Sequence, residues 1–215
     1  NGTTRLEGDL MIPGFRLGSG EGFKPKLEIA PGGRVKIDTS GDAGEVFNGA
    51  ELDICGGVFN QVGDSGSQGF TVADGTLRIR NGGVFRTSSA YQHGFGGLSE
   101  TIVETGGVWI CTSAHYLRGS SRGGAIHLTV RGGTIFAESV NGFNLGYAAS
   151  NGATSKTNWI HLAAGGQFRT GMLNQGYRHD EDALDKDVYF YADGGTLVYS
   201  PNGDELNSAA CNAFI

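Results

Sequence analysis

This sequence has no long apolar run. No stretch approaches the roughly 20 consecutive apolar residues of a membrane-crossing helix, so no such span is expected. Cysteine is sparse: Cys55, Cys111 and Cys211 are too few and too scattered for a disulfide framework or a zinc site. Proline numbers only four and there is no G-X-Y period, which excludes collagen and Pro-rich disorder. No stretch shows 3.6-residue periodicity with caps at both ends, "HDEDALDKD" (179–187) being the weak exception. Positive charge is in deficit, with 16 Lys and Arg against 22 Asp and Glu, and the net charge of −6 argues against a nucleic-acid partner.

Glycine is in excess, at 39 of 215 residues, against an average usage of about 7%. Seven Gly-Gly pairs preceded by a short strand-like run begin at Gly32, Gly56, Gly82, Gly106, Gly132, Gly165 and Gly194, with steps of 24, 26, 24, 26, 33 and 29 residues. Their flanks share one register, as in "TLRIRNGGVFRT", "TIVETGGVWICT" and "YFYADGGTLVYS". Two residues after each pair stands an apolar side chain: Val35, Phe59, Phe85, Trp109, Ile135, Phe168 and Leu197. Before the pairs, apolar residues recur two apart, as in Leu27/Ile29, Leu77/Ile79, Leu128/Val130 and Ile160/Leu162. Period two on both arms means strands with one buried face.

A repeat of 24–33 residues with two or three short strands fits one coil of a parallel β-helix. The fold expected is all-β, a single-stranded solenoid of about seven or eight coils without significant helix. The paired glycines fall where the chain bends between sheets, a place that calls for φ > 0. Stacked coil on coil, they also let neighbouring turns approach closely. A third strand is expected at "FRLG" (15–18), "FTVA" (70–73) and "FNLG" (143–146), the first implying a coil ahead of Gly32. Residues 1–200 form the solenoid domain, and 201–215 a C-terminal cap or the start of a continuing segment. A chain that begins at Asn1 and ends at Phe214-Ile215 is expected to be a processed or excised piece.

Over about residues 10–200 this pattern resembles the pectin-lyase-like right-handed β-helix superfamily, above all the Gly-rich passenger domains of bacterial autotransporters and related surface proteins. The resemblance implies a right-handed coil and an extracellular or cell-surface location. It leaves activity open, because that superfamily includes lyases, hydrolases, phage tailspikes, adhesins and inert stalks.

Acids are dispersed rather than clustered, and the "NTD", "DD" and "GHG" motifs of a polygalacturonase-like enzyme are absent. Glu28, Asp53 and Arg78 share one outward slot on successive first strands, where an inter-coil ion pair on a solvated face is the expected reading and a catalytic pair the alternative. The loop carrying Asp180, Glu181, Asp182, Asp185 and Asp187 reads as a solvated loop or as a Ca²⁺ site, the one cofactor with any support. His127 and His161 lie on adjacent first strands but offset by two residues, and none of the five histidines has metal-ligand spacing.

Rings beside polar groups suit sugar faces, and Tyr147, Tyr177 and Arg178 in the longest loops are the candidate ligand contacts, with Trp159 expected to pack. Outward slots beside the second strands hold Val58, Val84, Val108, Ile110, Phe136 and Val198. Such a stripe is either an interaction surface or is covered by folded-back loops.

The reading that follows is a non-enzymatic extracellular solenoid, a structural or adhesive segment of a bacterial surface or filament-like assembly. It would self-associate along the stripe or end to end. The alternatives are a polysaccharide-active enzyme or carbohydrate-binding module of the same fold, and a trimeric tailspike-like fibre.

Overall fold

The structure is a computed structural model that describes residues 2–18, 20, 22–37, 44–61, 69–93, 97–118, 125–137, 143–147, 158–170, 173–175 and 188–199. On either side of each glycine pair stands a strand that pairs in parallel with its equivalent one repeat away. The first sheet stacks eight of them as rungs, in the order Thr3–Leu6, Lys26–Ile29, Glu51–Cys55, Thr76–Arg80, Leu98–Val103, Ala125–Val130, Asn158–Ala163 and Val188–Asp193. The second path stacks Asp9–Ile12, Arg34–Ile37, Val58–Gln61, Val84–His93, Val108–Arg118, Thr134–Ala137, Gln167–Thr170 and Thr196–Tyr199. All the described elements are strands, so the chain is an all-β parallel solenoid.

A third side comes from Arg16–Leu17, Glu45–Phe47, Phe70–Ala73, Phe143–Tyr147 and Leu173–Gln175. Three of these fall in the segments expected from "FRLG", "FTVA" and "FNLG". Glu45–Phe47 and Leu173–Gln175 are additions that the sequence pattern had not marked. Val84–His93 and Val108–Arg118 run continuously from the second side into the third, with a register shift between Thr87 and Ser89 where the ladder turns the corner.

The interior is built from the residue two places after each glycine pair. Val35, Phe59, Phe85, Trp109, Ile135, Phe168 and Leu197 are direct register partners along the second path. All but Leu197 are buried. Phe59 and Phe70 meet edge to face at 5.2 Å, Phe70 and Phe85 at 4.9 Å, and Phe85 leans on Trp109 at 5.9 Å. Each such ring contributes about 1.5–3 kcal/mol by leaving water. Opposite them, Ile29, Ile54, Ile79, Val103, Val130 and Leu162 line the first sheet. Cys111 lies in this interior as a free thiol, whereas Cys55 is half-buried at the corner, where it accepts a hydrogen bond from Asn81 Nδ2 at 3.4 Å.

The two glycines of a pair have different jobs. The first has positive φ in every repeat, from +71° at Gly132 to +87° at Gly32. Gly32 follows Pro31 and closes a turn with Gly33 N–H donating to the Ala30 carbonyl at 2.9 Å, the Pro-Gly order of a type II turn. The second sits against the coil before it: a Cβ on Gly83 would run into the carbonyl oxygen of Ile54, and one on Gly107 into that of Ile79. The corners also bond to one another, Asn81 N–H donating to Thr105 O at 3.0 Å and Gly82 N–H to Gly106 O at 3.2 Å. Gly106 N–H donates in turn to Gly132 O at 3.2 Å, so hydrogen-bonded corners line up from Gly82 to Gly132.

Candidate functional site

Alternation along the first sheet turns two columns of side chains outwards. One runs Lys26, Glu51, Thr76, Glu100, His127, Trp159, Tyr189, and the other Arg5, Glu28, Asp53, Arg78, Ile102, Thr129, His161, Tyr191. The surface changes character along the axis. Rungs one to four are dominated by charge and rungs six to eight by rings.

At the charged end the expected column of Glu28, Asp53 and Arg78 is in register, but Asp53 and Arg78 find their ion-pair partners diagonally. Arg80 donates Nε to Asp53 Oδ1 and Nη2 to Oδ2, both at 3.0 Å, and Lys26 Nζ donates to Oδ2 at 2.9 Å. Arg78 instead reaches Glu51 at 3.4 Å and Glu104 at 2.8 Å, Arg131 also binds Glu104, and Glu28 accepts from Arg5 at 3.1 Å. Burial alone would raise the Asp53 carboxyl; the hydrogen bonds from Arg80 and Lys26 outweigh it and hold the group below the usual carboxylate range. Burial likewise works against the bonds and charges of Arg131 and Arg78 at Glu104, whose pKa also ends low. Burial would lower the Lys26 ammonium, yet Asp53 and Glu51 raise it. Asp53 and Glu104 are therefore ionised braces, without a proton to donate at neutral pH.

At the ring end Trp159 lies flat on His127, centroids 3.6 Å apart and planes 15° from parallel. Burial pushes the His127 imidazole below its ordinary pKa, favouring the neutral ring. On the last rung Tyr189 and Tyr191 stand near-parallel at 6.0 Å and 17°, with 44% and 47% of their surface exposed. Tyr191 meets Trp159 at 78° and His161 at 82°, both at 6.4 Å, so the tyrosine pair and the Trp159 plane form an open corner. His161 Nε2 is 3.9 Å from Asp193 Oδ2. Trp159, His161, Phe190, Tyr191, Ala192 and Asp193 line a groove of about 550 Å³. A second groove, of about 600 Å³, follows the glycine corner past Arg80, Glu104 and Arg131, whose charges are already paired.

Several residues chosen from sequence fall elsewhere. Tyr177, Arg178, Asp180, Glu181, Asp182, Asp185, Asp187 and residues 201–215 lie outside the described residues, as does Cys211. Tyr147 ends the strand Phe143–Tyr147, its backbone paired with Arg118. Among the described residues no group of three or more His, Cys, Asp or Glu is placed to hold a metal ion. The two-residue offset of His127 and His161 is observed, their partners being Trp159 and Thr129.

The apolar stripe forms a second hydrophobic cluster on the outer face of the second path, but it is closed. Val84, Val108, Ile110 and Phe136 are only 1–7% exposed, Val58 packs against them, and the Arg169 guanidinium lies 5.6 Å over the Phe136 ring. Val198 is half-buried in the same column, beyond Arg169. These side chains are buried in the structure rather than exposed as a stripe.

Tyr189 and Tyr191 were missed because rings were sought in loops. Their signal was in plain view: "YFYAD" alternates before Gly194 as "TLRIR" does before Gly82, and its odd positions face outwards. Set against known proteins, the chain matches no family model, no curated protein and no solved structure.

Proposed function

We propose that the chain is a non-enzymatic β-solenoid, a rigid structural or adhesive segment of an extracellular surface. The observation that carries this reading is the paired state of the acids. Glu28, Glu51, Asp53 and Glu104 each sit against a lysine or arginine from a neighbouring repeat, so they brace coil to coil. A hydrolase or lyase needs such groups poised for proton transfer, which the lowered pKa values of Asp53 and Glu104 oppose. The extracellular setting rests on the resemblance of the glycine repeats to autotransporter passenger domains of the pectin-lyase-like superfamily. A second reading, a carbohydrate-binding or polysaccharide-cleaving module, is favoured by the aromatic end of the first sheet.

The test is incubation with neutral and acidic polysaccharides, with and without Ca²⁺, followed by chromatography of the products, alongside light scattering of the protein. Unshortened polysaccharide and a mass that rises with concentration are the expected results. Cleavage of any of them overturns the non-enzymatic reading.

A further inference from the structure

The geometry points to a binding site for a neutral polysaccharide chain on the last rungs of the first sheet, with Tyr189, Tyr191 and Trp159 as its platform. This deepens the adhesive reading and rests on it only in treating the chain as a binder rather than an enzyme.

An outward position on a solenoid strand costs least when polar, and the first rungs follow that rule with Lys26, Glu28 and Arg78. Rungs seven and eight instead place Trp159, Tyr189 and Tyr191 outwards, the tyrosines with nearly half of their surface in water. Large rings held that way are stabilised by what lands on them.

The arrangement selects the guest. Parallel strands repeat at about 4.8 Å, so rungs seven and eight gather their rings within the span of one or two sugar units, the near-parallel Tyr189 and Tyr191 offering the stacking faces and the Trp159 plane the side wall of the corner. The C–H faces of a pyranose pack on aromatic faces, while its hydroxyls need donors and acceptors at the rim. Asp193, 86% exposed, and His161 supply those beside Tyr191. Glu100 stands in register beside His127 at the far side. With carboxylates at two borders and a net charge of −6, the surface repels an acidic polymer and admits a neutral one.

The experiment uses the whole chain and its own reporters. Of the two tryptophans, Trp109 is sealed in the interior, so a change in indole emission on adding ligand reports Trp159. Cello-, malto- and mannohexaose are the neutral probes; oligogalacturonate is the acidic control and tetramethylammonium the control for a cation-binding aromatic corner. Saturable binding of at least one neutral hexamer is expected. Tyr191→Ala and Tyr189→Ala should each weaken it about tenfold, and Tyr191→Phe, which keeps the ring, should retain it. Both tyrosines are exposed, so a circular dichroism spectrum unchanged from the parent verifies that the variants fold.

Absence of neutral binding at millimolar concentration overturns the site, as does binding that is indifferent to both alanine variants or confined to the acidic or cationic control. Those outcomes leave the scaffold standing as a spacer. Shortened hexamers with tyrosine-dependent binding would do the reverse, keeping the site and overturning the non-enzymatic reading.

Discussion

Asp53 has no exposed side-chain surface, and Arg80 binds both of its oxygens at 3.0 Å. The two residues are on adjacent rungs, one slot apart, so the contact ties coil to coil as well as neutralising a charge. Asp53→Asn leaves Arg80 without its counter-charge and Lys26 with Glu51 alone. A fully buried pair broken this way costs roughly 3–5 kcal/mol. Arg80 and Lys26 keep 29% exposure and regain water, which brings the expected loss to about 2–3 kcal/mol. Urea unfolding should show a lower midpoint with an unchanged slope.

The same groups set the pH range. Asp53 and Glu104 titrate lower in the fold than the ~3.9 and ~4.3 of an unfolded chain. Their contribution is complete above those unfolded values and is lost as pH falls through the folded ones. Lys26, raised in the fold, contributes fully below its unfolded value of ~10.4 and loses that contribution as pH rises through the folded one. Urea midpoints measured from acid to alkali should therefore form a plateau that falls at both ends. Asp53→Asn should shrink the acid limb.

The glycine pairs predict an asymmetry. Gly82 has φ of +83° with open space around it, so Gly82→Ala should cost only the left-handed strain, about 1 kcal/mol. Gly83→Ala drives a methyl into the Ile54 carbonyl, which belongs to a fixed strand end. Its cost should reach or exceed ~3 kcal/mol, the upper end for overpacking. Thermal melts of the two single variants give the comparison directly, and equal losses would contradict this division of labour.

The His127–Trp159 stack should be visible by acid titration of fluorescence. The imidazole is neutral at pH 7 and its pKa lies below the ordinary ~6.5. Protonation puts a cation on the indole face, where Glu100 on the neighbouring rung and His161 beside Tyr191 are the other titratable groups at hand. Emission should fall with a midpoint below that value, and His127→Gln should abolish the transition.

The sequence carried the fold because one period repeats. Seven glycine pairs fixed the register, and register alone places Phe59 on Phe85 and Trp109 without knowledge of any contact. It also placed Glu28, Asp53 and Arg78 in one column. Pairing did not follow, because a long side chain reaches diagonally: Arg80, one slot beyond Arg78, took Asp53. Burial on the outer face was illegible for another reason. Alternation says that Val84, Val108 and Phe136 point outwards, but it does not say whether water reaches them there, and it does not show the Arg169 guanidinium that lies over the Phe136 ring. The aromatic corner could have been read, since Tyr189 and Tyr191 follow the same alternation as the rest.

Because each second glycine receives the carbonyl of the coil before it, every junction along that edge offers the same socket. A chain of this kind can be lengthened or shortened by whole repeats without redesign of the joint. Excision of residues 58–83 would leave Gly57 followed by Val84 and Phe85, with Phe85 over Val35 where Phe59 had been. Length in such a molecule comes in quanta, and gene duplication supplies them ready to dock.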